Sequence, residues 1–173
     1  RYITMNKKQN KKTNSKEQFS HLTKFIGIDP GKSGGIAMIS DKGIESIKCP
    51  KEPAQMAVFL QYLIGDTAPF NVGILIERVW ARPTNGSRHA FAYGFNYGLW
   101  YGVVAMTGVE MHTILPNAWI QHFGCPKGIE YNKRKNWLKD KAKELYPDIK
   151  KVTLATADAI LIVDYAKKEF FNN

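Results

Sequence analysis

The stretch KFIGIDPGKSGGIAMIS, Lys24–Ser40, decides how this chain folds. Phe25, Ile26 and Ile28 have the aromatic and β-branched character of a buried strand. Asp29 ends that run. Pro30 and Gly31, followed by Lys32-Ser33-Gly34-Gly35, supply turn residues before Ile36, Met38 and Ile39 resume an apolar strand. The reading is a β-hairpin with a carboxylate at the mouth of its first strand. Such an aspartate either caps its own turn or binds a ligand, since burying it unmet costs on the order of several kcal/mol. A metal-ligand role requires further carboxylates at the same place.

Working outward, GIESIKC (Gly43–Cys49) alternates in character and reads as a third, antiparallel strand. EPAQMAVFLQYLIG (Glu52–Gly65) spaces Met56, Phe59, Leu60 and Leu63 at helical intervals, with Pro53 in the first turn. NVGILIE (Asn71–Glu77) is a continuous apolar run that suits the middle of a sheet covered on both faces. A long helix is predicted over Ser87–Met106. Its Gly94, Gly98 and Gly102 form one smooth stripe where another backbone could approach closely. The aromatics Phe91, Tyr93, Phe95, Tyr97, Trp100 and Tyr101 cover the rest of that helix; most read as core, and their number also suits a subunit interface.

EMHTILP (Glu110–Pro116) is a fifth strand, and Pro116-Asn117 opens a short helix containing Trp119 and Phe123. Asn132 is a candidate cap for the basic helix KRKNWLKDKAKELY, which Pro147 ends. TLATADAILIVDYAKKEFF closes the pattern as a helix that is apolar on the face of Ala155, Ile162 and Ala166. The order β-β-β-α-β-α-β-α-α predicts an α/β fold. Three antiparallel strands are followed by two parallel ones reached through crossovers, in a mixed five-stranded sheet flanked by helices.

The chain has 173 residues, the size of one domain with a real core. No apolar segment approaches the length of a membrane span, and the head lacks the apolar core of a secretory signal. Cys49 and Cys125 have no metal spacing, so free thiols in a reducing compartment are expected, cytoplasmic or else an organellar matrix. The net charge is +10, and seven basic residues against one acid fall within residues 1–24. Residues 1–23 read as a basic, disordered arm and residues 24–173 as a single domain. A second excess lies over Lys127–Lys151, with nine basic residues against four acidic. A polyanion partner fits this distribution, as does a solvated lysine-rich helix face.

Glu77 is the second acid that ends an apolar strand run, and Asp158 lies in the first turn of the last helix. A crossover would set the strand ending in Glu77 parallel to the strand ending in Asp29, with their carboxylates as neighbours. The last helix, packed over that edge, could aim Asp158 at the same point. Three such acids repel each other and raise each other's pKa unless a hard divalent cation lies between them. Two ions bridged by a shared carboxylate can stabilise the attacking and leaving oxygens of a phosphodiester.

At this point the ordered set GIDPGKSGGIA, ILIERV, GFNYGLWYGVV with ILPNAW, AKELYP and TADAILIVDYA resembles the RuvC-type Holliday-junction resolvases of the ribonuclease-H-like superfamily. The likeness is to their phage and plant-plastid branch, over roughly Lys24 to Lys168. The resemblance implies a ribonuclease-H-like homodimer that binds a four-way DNA junction and nicks it symmetrically. It implies two Mg²⁺ or Mn²⁺ ions per site, with no small-molecule cofactor and no membrane partner. Asp29 would bridge the metals, Glu77 would hold one and Asp158 the other. Trp80 occupies the place of the family's junction-wedging aromatic. Lys135 is the nearest match to a catalytic lysine, and Arg82, Arg88, Lys127, Lys133, Arg134 and Lys135 are candidate DNA contacts. His89 follows the same loop and reads as a surface residue.

The chain departs from the family one helical turn before Asp158, where relatives carry an acid or histidine. Leu154 and Ala155 stand there, so water or another segment such as Asp148 would have to complete the metal shell. Asp164, about 120° around the helix from Asp158, reads as a surface charge. The alternatives are a nuclease of the same fold acting on RNA–DNA hybrid or other branched DNA, and a catalytically weak junction-binding protein. An actin-like or sugar-kinase-like ATPase, suggested by IDPGKSGG, would need two such domains, and the chain is too short.

Overall fold

The computed structural model describes residues 21–78 and 86–171, with side chains up to residue 169. Trp80, Arg82 and nearly all of the basic arm lie outside the described residues. The five strands are β1 (Lys24–Ile28), β2 (Gly35–Ser40), β3 (Gly43–Lys48), β4 (Val72–Glu77) and β5 (Glu110–Ile114). The helices are α1 (Pro53–Ile64), α2 (Ser87–Ala105), α3 (Pro116–His122), α4 (Tyr131–Leu145) and α5 (Leu154–Phe171). The sheet order is β3-β2-β1-β4-β5. β1 and β3 flank β2 antiparallel, while β4 runs parallel to both β1 and β5. This is the mixed five-stranded sheet that the element order predicts.

Alternation along the strands divides the interior in two. Phe25, Ala37, Ile39 and Leu75 face α3, α4 and α5, whereas Ile26, Ile28, Ile36, Met38, Ile74 and Ile76 face α1 and α2. Leu22, inside the expected arm, is already buried in the first of these layers, so the packed fold starts slightly earlier than its charge pattern suggests. α5 lies hard against the sheet because two strand glycines admit it. A Cβ at Gly27 would stand 2.7 Å from the Val163 nitrogen, and one at Gly35 would stand 2.3 Å from the Ala155 carbonyl oxygen.

Three expectations are corrected here. α5 has no single apolar face: Thr156 through Asp164 are all buried, because the sheet covers one side and α4 the other. Asp164 is therefore no surface charge. It accepts a 2.6 Å hydrogen bond from the Tyr146 hydroxyl and pairs with Lys168 at 2.7 Å, clamping the end of α4 to α5. Asn132 does not cap α4, since the helix already begins at Tyr131 with Glu130 as its cap residue.

The glycine helix also differs from expectation. Trp100 and Val104 enter the core, but Phe91, Tyr93, Phe95 and Tyr101 are exposed. A Cβ at Gly94, Gly98 or Gly102 would meet nothing within 4 Å. Among the described residues, no backbone uses the stripe. Among the described residues no helix is long and apolar enough to cross a membrane, and both cysteines are free.

Candidate active site

Parallel pairing of β1 with β4 puts Ile28 opposite Ile76, so the residues that follow, Asp29 and Glu77, leave the sheet side by side. Both remain partly open to solvent, while Asp158, on the second turn of α5, is only 4% exposed. The three acids act on one another electrostatically. Burial, and then the charge of Asp158, raise the Asp29 carboxyl above its usual range. Burial and the charge of Asp29 push Glu77 up to about 8, with Asp158 adding to the effect.

Each acid is held differently. Asp29 Oδ1 accepts the Gly31 backbone N–H at 3.0 Å, so the aspartate does cap its own turn. Its backbone is fixed too, because its N–H donates to the Gly35 carbonyl and its own carbonyl accepts the Cys49 thiol. Burial, followed by the Asp29 charge, pushes that thiol up, keeping it a neutral donor; the Trp100 side chain of α2 in turn hydrogen-bonds Cys49. Glu77 Oε1 accepts the indole N–H of fully buried Trp119 at 3.0 Å. Trp119 stands in α3, directly after β5, which places its ring beside the end of the neighbouring strand β4.

Asp158 is met by Lys135 from α4, whose ammonium both donates to and pairs with Asp158 Oδ2. Burial works to lower the Lys135 pKa, but the charge and hydrogen bond of Asp158 outweigh it and hold the ammonium above its usual range. Asp158 Oδ1 is buried with no hydrogen-bond partner among the described residues. The site is thus three carboxylates from β1, β4 and α5, facing one lysine from α4.

A divalent metal fits this donor set chemically. All ligands are hard oxygens, two are reachable from solvent, and a buried Asp158 oxygen lacks a partner. As they stand, however, no three His, Cys, Asp or Glu side chains among the described residues form a group that could hold a metal ion.

The other expected residues are not part of this cluster. Arg88, His89, Lys127 and Lys133 are exposed, and Lys133 pairs loosely with Glu130 at 3.8 Å. Arg134 is half-buried, with its guanidinium 5.4 Å from the centre of the Tyr131 ring. Asp148 is exposed and belongs to no described ion pair, and Ala155 and Leu154 bring no polar group to Asp158. Sequence reasoning passed over Trp119, Cys49 and Trp100 as functional residues. The two tryptophans gave one signal, that a buried indole requires a hydrogen-bond partner, and Cys49 gave none.

The raised acids make a pH prediction. In chelator, folded Glu77 keeps its proton up to about pH 8, whereas the unfolded chain releases it near pH 4.5. Between those values the folded state binds more protons, so its stability falls as pH rises. The metal-free melting temperature should decline from pH 5 to pH 9, and Glu77→Gln should flatten that slope. Equal slopes in the two proteins would remove Glu77 from the coupled cluster.

No protein-family model matches the sequence, and no curated protein matches it. Solved structures do. RuvC of Thermus thermophilus in complex with a Holliday-junction substrate superposes with a TM-score of 0.52 at 14% identity, covering 81% of this chain and 90% of that one. A second Thermus thermophilus RuvC structure gives a TM-score of 0.50 with the same identity and coverage. The chain shares the RuvC-like fold.

Proposed function

We propose that this protein is a structure-selective DNA endonuclease that resolves four-way junctions by metal-dependent phosphodiester hydrolysis, acting as a homodimer. The observation that carries the reading is that Asp29 and Glu77 leave paired strands side by side, within electrostatic reach of Asp158 and its lysine, in a RuvC-like fold. Asp29, Glu77 and Asp158 would hold the divalent cations, Mg²⁺ or Mn²⁺, which supply charge stabilisation at the attacking and leaving oxygens when bound. The Gly31 and Trp119 hydrogen bonds keep Asp29 and Glu77 aimed, and the α5 backbone, wedged over Gly27 and Gly35, fixes Asp158 relative to the sheet. Exposed Arg88, Lys127 and Lys133, with Arg134 behind them, supply positive charge for phosphate contacts. The open glycine stripe and its exposed aromatics support a second copy as partner, which symmetric nicking of a symmetric junction requires.

A second reading has its own support. With Lys135 on Asp158 and no polar residue at Ala155 or Leu154, the chain could bind branched DNA and cut it weakly. One experiment separates these readings: nicking of a synthetic four-way junction, a matched duplex and an RNA–DNA hybrid, each with Mg²⁺ or with chelator. Paired nicks confined to the junction and to Mg²⁺ are the expected result. Binding without nicks selects the weak binder, and preferred cleavage of the hybrid selects a different nuclease of this fold.

A further inference from the structure

We propose that Lys135 is the resident counter-cation of the acid cluster, and that a divalent metal ion loads by displacing it from Asp158. The proposal rests on the metal-dependent reading above. Lys135 reaches Asp158 from another helix, across 23 residues of sequence, and its side chain is 24% exposed against 6% for the aspartate. A lysine drawn this far inward is answering a local excess of negative charge. Its charge opposes the rise in both Asp29 and Glu77, and among the described residues no other cation acts on either of them. The ammonium therefore does for the metal-free cluster what a metal ion does for the loaded one.

The two cations cannot share the cluster without cost. An ammonium held on Asp158 Oδ2 would repel a divalent ion drawn to the same carboxylate, whose Oδ1 is buried without a partner among the described residues, and in a desolvated site that repulsion is little screened. Metal entry is thus an exchange. The bound lysine keeps the metal-free fold from burying Asp158 without a cation, and its release leaves an ammonium available to a phosphate oxygen. Metal affinity is lowered in return. Ala155 and Leu154, one turn before Asp158, sharpen the competition, because they give an incoming ion nothing to hold instead.

The test uses the full chain and needs no DNA. Mn²⁺ binding is titrated by electron paramagnetic resonance, and melting temperatures are measured in chelator and in excess Mn²⁺, for wild type and Lys135→Met. The variant is expected to bind Mn²⁺ roughly tenfold more tightly. It should also melt lower than wild type in chelator and gain more on Mn²⁺ addition, since tighter binding to the folded state alone raises stability further. If Lys135→Met folds only with Mn²⁺, that is the same result in stronger form. Lys135→Gln, which keeps a donor for Asp158 without the charge, then supplies the affinity comparison. Equal or weaker Mn²⁺ affinity in the lysine variants overturns the exchange but leaves the nuclease reading standing. If neither wild type nor variant binds Mn²⁺ and wild type leaves junctions uncut, both fail together.

Discussion

Asp29→Asn and Asp158→Asn are each expected to lower junction cleavage by roughly a thousandfold or more, beyond the ~10–100-fold that loss of a ligand's supporting hydrogen bond costs. Binding of the junction should persist or tighten, because each change removes a negative charge that repels phosphate. The two variants should separate on stability. Asp29 is raised by burial and by the charge of Asp158, so an amide there relieves repulsion, and the metal-free melting temperature should rise. An amide at Asp158 deprives Lys135 of its partner in a largely buried setting. That should destabilise by about 1–3 kcal/mol, or a few degrees of melting temperature. Single-turnover cleavage, junction binding and melting curves in chelator check all of this. Near-normal cleavage by Asp158→Asn would remove the helix aspartate from the chemistry. A lower melting temperature for Asp29→Asn would mean that this carboxylate mainly secures its turn through Gly31.

The opposite signs arise from one arrangement that was only partly legible in the sequence. Asp29 and Glu77 could be found because each ends an apolar run of strand length, and a crossover leaves parallel strands ending on the same side. The hydrogen-bonded register from Lys24↔Val72 to Ile28↔Ile76 is what those two runs imply. Asp158 was visible for a weaker reason: it stands near the start of an apolar helix that could pack over the same edge of the sheet. Its partner was less legible. Lys135 is one of nine basic residues between Lys127 and Lys151, and spacing alone does not say which of them turns inward. The resemblance singled out Lys135, but only the packing of α4 on α5 shows that it turns inward while Lys133, two positions away, is exposed.

Asp164 shows the limit of periodicity. An angular argument assigns faces correctly but says nothing of what covers them. A helix wedged over Gly27 and Gly35 and roofed by α4 has no solvent face along Thr156–Asp164 for an acid to occupy. The supporting residues were hidden for a related reason. Trp119 and Cys49 act through partners brought to them by the sheet, 42 residues away in one case and 20 in the other. Such contacts leave no local periodic trace.

The glycine stripe was legible as a pattern while its use was not, and that makes it the better test of assembly. Gly98→Leu should leave the isolated chain intact or stabilise it, because a side chain there meets nothing within 4 Å and glycine in an exposed helix costs about 1 kcal/mol against a good helix former. Distorted packing inside the protomer is therefore not the expected outcome. In a dimer seated on that stripe the effect reverses. Each copy would press a leucine into a seam shaped for bare backbone, an overpacking cost of about 1–3 kcal/mol that a two-fold axis counts twice. The dissociation constant should rise by ~100-fold or more, while the melting temperature at low concentration stays level or rises. Phe95→Ser, on the same exposed face beside Phe91, should act in the same direction by removing apolar contact area. Sedimentation velocity of the three proteins across a concentration series, free and with junction DNA, measures this directly. A wild-type chain that stays monomeric in both states would leave symmetric nicking without a symmetric enzyme. A Gly98→Leu protein that dimerises as tightly as wild type would move the interface away from α2, because no leucine can be hidden in a backbone seam that small residues alone keep open.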